Sequence, residues 1–135
     1  MDGRFVLLGF IVVVAGITAR NLQPVRPEGA IAAEHAREQA IDAVLVEVDR
    51  AQLCYLRRRD QYADTIPSLA FAGGHYMRTA LRHGLDITLR TSRGGKSYEQ
   101  HVVGVGVRGV VERRGLEVVR LDVGDRSPPQ LATHC

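Results

Sequence analysis

Five histidines, at positions 35, 75, 83, 101 and 134, are the first places to look for chemistry. A metal site built on one helix needs two of them three or four residues apart, because that spacing puts both rings on one face. No pair has that spacing, and no His-Glu-x-x-His occurs. His75 and His83 stand two helical turns apart, and a chance surface pair is the expected reading. Any role of His75, His83 or His101 stays open. Gly94-Gly95-Lys96-Ser97 has the ending of a phosphate-binding loop. That loop needs a further glycine five residues before Gly95, where Arg90 stands, and a helix rather than a strand after it. A hairpin tip is therefore expected. Cys54 falls in a helical stretch without the local signature of a nucleophile. No Gly-x-Ser-x-Gly elbow is present. Asp60 and Asp64 flank a connector, where solvated or capping roles are the default. These residues point to no catalytic, metal or cofactor site and no small-molecule substrate.

Composition narrows the classes further. With 135 residues, 45% hydrophobic and 24% charged, the chain suits one folded domain. It has no Trp and only 5% aromatics, which argues against an aromatic-lined sugar or nucleic-acid groove. Net charge is +3, and every basic residue except Lys96 is Arg. The one dense cluster is Arg57-Arg58-Arg59. Successive helical positions point about 100° apart, so the three cannot form a flat phosphate-binding stripe. Nucleic acid is not an expected partner. Glu34-Arg37 and Glu47-Arg50 read as ordinary helix pairing.

The elements that would carry any function start with Phe5 to Ala19, a run without charge between Arg4 and Arg20. Fifteen residues at 1.5 Å each span about 22 Å, short of a bilayer core of about 30 Å. Extension through Leu22, with Arg20 snorkelling, adds about one turn. Three readings stand: a retained anchor, a signal segment cut near Ala19, or a buried core element. The retained anchor is the expected one, with residues 1–20 as the membrane segment and Phe5, Leu7, Leu8, Phe10, Ile11, Val13 and Ile17 facing lipid. No second long apolar run follows. The simplest topology is a single pass through a bacterial-type inner membrane, with the carboxyl-terminal domain on the periplasmic or extracellular side. Secretion is the alternative.

Residues 21–29 read as a linker, because Pro24 and Pro27 bar a continuous helix. From Ala30 to Arg59 the composition is helical, with no Gly or Pro. Ile41, Val44, Val48, Ala51 and Tyr55 recur at three and four and form one apolar face, broadened by Leu45 and Leu53. Glu34, Glu38, Asp42, Asp49 and Arg50 take the remaining, solvent-facing positions. Asp60 to Gly74 is a connector. His75 to His83 is a short helix stopped by Gly84. Alternation then gives strands at Leu85–Arg90, Tyr98–Val103, Val107–Arg113 and Leu116–Val123, with tight turns at Arg93–Lys96 and Arg114-Gly115. Residues 30–124 thus read as an α+β domain, a long helix packed on a four-stranded antiparallel meander. Residues 125–135 read as an irregular tail.

The two cysteines take their meaning from the membrane segment. Outside the cytoplasm, a pair in a small domain tends to join. A Cys54–Cys135 bridge would staple the tail to the long helix. Two free thiols, or one thiol joined to a partner, are the alternatives.

The layout of apolar segment, long helix, antiparallel sheet and a cysteine near the end resembles a type IV pilin or pseudopilin. Ala51-Gln52-Leu53 with Tyr55, followed by Gln61-Tyr62-Ala63-Asp64-Thr65-Ile66-Pro67-Ser68-Leu69, is similar to that family's helix exit. The prepilin cleavage pattern is missing, since Gly9-Phe10 is followed by Ile-Val-Val-Val. The resemblance implies a structural subunit that docks on a larger membrane-associated assembly, with membrane lipid and protein subunits as partners. A second resemblance is to cystatins. Gln100-His101-Val102-Val103-Gly104 fits their Gln-x-Val-x-Gly hairpin wedge and implies a secreted cysteine-protease inhibitor.

Overall fold

The computed structural model describes residues 28–72 and 74–135. The expected anchor residues and most of the expected linker lie outside them. Among the described residues, no helix is long and apolar enough to cross a membrane. Residues 32–135 form one compact unit.

The long helix, α1 (Glu28–Arg59), has 32 residues. It starts within the expected linker, after Pro27, and Glu28 in its first turn suits the positive end of the helix dipole. Arg57, Arg58 and Arg59 fill the last turn, where they face the negative end. The helix stops at Asp60, whose φ of 57° is left-handed and whose N–H returns to the Leu56 carbonyl at 2.8 Å. Aspartate tolerates that conformation better than most side chains. A 3-10 helix (Pro67–Ala72) lies inside the connector, and α2 (His75–His83) follows it. Gly84, at φ 63°, closes α2, and the Leu85 N–H bonds back to the Ala80 carbonyl at 2.8 Å.

The sheet is an antiparallel meander in the order β1 (Asp86–Thr91), β2 (Ser97–Gly104), β3 (Val107–Arg114), β4 (Glu117–Asp122). The fourth strand is shorter than the sequence suggests, because Leu116 belongs to the turn before it. In β4 one residue is extra: Arg113 faces Val118 while Glu112 faces Arg120, so Val119 has no opposite number.

One face of the sheet buries the helix stripe. Ile41, Val44, Leu45 and Val48 are wholly buried against the core that Tyr98, Val102, Val107 and Val111 line from the strands. Gly109 sets how closely the layers approach. A Cβ there would lie 2.7 Å from Leu45 Cδ1 and 2.8 Å from Ile41 Cγ2, well inside contact distance. Glycine at this strand position is required by the helix lying directly over it. The buried residues of α1 begin at Ala40 and end at Leu53. Residues 28–33 are exposed, with Ile31 54% so.

Candidate functional site

The end of α1 is where the sequence-predicted residues converge. Ala51 is buried there and Tyr55 packs on the edge of the core. Cys54 is joined to Cys135 by a disulfide, with 81 residues of separation and the Cα atoms 4.8 Å apart. That distance is within the normal range for such a bridge. It settles the alternatives for the two thiols within this fold: neither is free. The tail lies close as a result. Leu131 and Ala132 pack against the core.

Beside this staple lies a buried polar cluster that residue type alone did not reveal. Asp49 was expected on the solvent face of α1. It is 0% exposed. Its carboxylate meets Arg113, 2% exposed, which donates from Nη2 to Oδ2 at 2.7 Å and from Nε to Oδ1. Tyr98 adds a hydroxyl bond to Oδ1. Arg113 further donates from Nη1 to the Leu116 carbonyl at 2.7 Å and from Nη2 to the Ala132 carbonyl. One guanidinium therefore joins the helix, the β3–β4 turn and the tail. A fork-shaped cation suits this role, since it satisfies several acceptors in fixed directions. Burial works against the charged form of Arg113, but the Asp49 bond and charge outweigh it and hold its pKa above the usual value.

The signal for this cluster was present in the spacing. Leu45, Asp49 and Gln52 follow at four and three, in step with the apolar stripe. Arg113 follows Val107, Gly109 and Val111 at every second position, so it shares their face. Gln52 obeys the same geometry. Wholly buried, it donates from Nε2 to the Ala63 carbonyl and accepts from the Ala63 N–H, each at 2.8 Å. The connector is thereby clamped to the helix. Tyr62 completes the arrangement. Its ring lies 4.8 Å from that of Tyr98, tilted by 54°, and its hydroxyl donates to the Gly115 carbonyl.

Buried on all sides, this cluster is a structural joint, and a substrate has no way to reach its carboxylate. It makes a pH prediction. Burial raises the pKa of Tyr62, Tyr76 and Tyr98, and for Tyr98 the Asp49 charge adds to the shift. A phenol with a raised folded pKa keeps its proton in the fold when the unfolded chain loses it. Stability is therefore intact below about pH 10 and falls as pH rises beyond it. Ultraviolet titration of tyrosinate should show these three phenols silent near that pH while the fold persists. Ionisation of all four tyrosines together, with the folded signal intact, would refute the assignment.

The remaining candidates occupy ordinary positions. Gly94 and Gly95 form the β1–β2 hairpin tip, both at positive φ. Lys96 turns to the helix exit, donating to the Asp60 carbonyl at 3.2 Å. His75 Nδ1 lies 2.6 Å from Arg78 Nη2 on α2. His101 bonds Glu99 on the outer sheet face, and that bond holds the Glu99 carboxyl below the usual carboxylate range. Arg120 reaches the same carboxylate at 2.6 Å. Arg126, in the tail, bonds Asp42 at 2.9 Å and the Glu38 carbonyl at 2.7 Å. Among the described residues no group of three or more His, Cys, Asp or Glu side chains could hold a metal ion.

The cystatin-like stretch Gln100 to Gly104 lies within β2. Gln100 and Val102 are 0% exposed within the inner strand β2, where Gln100 sits opposite both Leu89 and Val111. Their side chains face the core because they alternate with outward Glu99, His101 and Val103. Only the end of the motif, Val103-Gly104, reaches the β2–β3 hairpin tip. Comparison of the chain with protein-family models, with curated proteins and with solved structures finds no match.

Proposed function

We propose that this chain is a membrane-anchored extracytoplasmic structural subunit, pilin-like in layout, that docks on a larger membrane-associated assembly. The observation that carries the reading is the Cys54–Cys135 disulfide. Such bridges persist in oxidising compartments and are rare where thiols are kept reduced. A domain stapled this way, preceded in sequence by an uncharged run from Phe5 to Ala19, suits the far side of a bilayer. Two further features support a structural role. The polar cluster is closed to solvent, and the exposed start of α1 offers Ile31 and neighbouring alanines to a partner.

Gentle solubilisation of native membranes, followed by mass spectrometry, tests this reading. The expected result is the full-length chain in the membrane fraction, co-purifying with other subunits. A maleimide tag should attach to both cysteines only after reduction. Full-length protein in the cytosol with both thiols free would overturn the proposal.

A further inference from the structure

The outer edge of β4 has no backbone partner among the described residues. The strand pairs with β3 on one side, and no main-chain hydrogen bond joins it to residues 123–135 on the other. Open edges of this kind are ordinarily blunted. This edge has a bulge and charged residues, yet it also carries exposed apolar side chains: Leu116 is 68% exposed, Val119 45% and Val118 39%.

The residues along this edge read Leu116-Glu117-Val118-Val119-Arg120-Leu121. Reversed, the pattern returns to itself with the charges exchanged. Laid antiparallel against a second copy, Leu116 stands opposite Leu121, Glu117 opposite Arg120 and Val118 opposite Val119. Each match occurs twice, as a two-fold axis demands.

A regular strand could not use this register. Residues directly opposite in an antiparallel pair must share a face, and Glu117 and Arg120, three apart, would point to opposite faces. The bulge removes the obstacle. Glu117 lies opposite Arg114, and Arg120 lies opposite Glu112. Arg114 and Glu112 both alternate with inward Arg113, so Glu117 and Arg120 share the outer face. The extra residue, which would otherwise spoil an edge, is what brings the opposite charges into line.

We infer that β4 is the seam of a homodimer, in which the two sheets join into one of eight strands through antiparallel pairing centred between Val118 and Val119. The occupant is a second copy of this chain, because the charge order fits its own reverse. This inference is independent of the membrane reading and holds for the folded domain wherever it resides.

Charge exchange tests it. The full 1–135 chain in density-matched detergent is followed by sedimentation, as wild type, as Glu117→Arg and as Arg120→Glu. Wild type should dimerise. Each variant alone places like charges opposite one another twice, weakening the dimer by about tenfold or more. An equimolar mixture of the two variants restores both pairs, and with them the dimer. A benzophenone side chain at exposed Leu116 provides a second measurement, needing no change in the charged residues. Irradiation should link it to the Leu121 peptide of the other copy. A monomeric wild type, a dimer indifferent to both reversals, a mixture no tighter than its components, or a cross-link elsewhere would each overturn the seam.

Discussion

Replacing Arg113 with methionine lowers folding stability by about 3–5 kcal/mol, the usual cost of removing one partner from a buried ion pair. Asp49, wholly buried, is left with the Tyr98 hydroxyl as its only described side-chain partner. The Leu116 and Ala132 carbonyls lose their donor as well. Asp49→Asn makes the complementary test, leaving a buried cation against a neutral amide. Both singles should lower the urea midpoint, and the thermal midpoint by roughly 10–20 °C. The double replacement Asp49→Leu with Arg113→Met should cost clearly less than the two singles added, because no charge then remains unpaired. Strict additivity would show that the two side chains do not act as a unit.

Replacing both cysteines with serine is expected to cost about 2–4 kcal/mol. The bridge spans 81 residues, so its main action is on the unfolded chain, which it prevents from spreading. Two readouts follow. The urea midpoint falls, and the urea dependence steepens because the uncrosslinked chain exposes more surface when it unfolds. Hydrogen exchange should also speed up selectively across residues 131–135, which lose their covalent tie. The loss should be partly shared with that of Arg113→Met, since the Arg113 bond to Ala132 depends on the tail staying in place. An unchanged midpoint in the serine pair would show that the fold does not use the bridge.

The architecture was legible from pattern. The period of the α1 stripe, Gly84 as the stop of α2, the Gly94-Gly95 hairpin and the alternation along β1, β2 and β3 each follow from local rules. These rules depend on neighbours in sequence, and neighbours in sequence are what a sequence displays. The Cys54–Cys135 bridge was legible only as one of several options, because pairing is decided by where the tail returns. Asp49 was misplaced because its charge was weighed above its position. Burial of such a residue becomes favourable only with Arg113 opposite it, 64 residues later. The Val119 bulge carries no local signature at all, being a matter of how β4 counts against β3. The expected membrane segment, residues 1–20, lies outside the described residues.

The disulfide also has a mechanical consequence. It makes the stretch from residue 54 to residue 135 a covalent ring, and the whole sheet hangs inside it. A pull entering along α1 and leaving at Cys135 passes across the sulfur atoms and does not load the strands. In an assembly under tension, the meander would stay slack while the helix carried the strain.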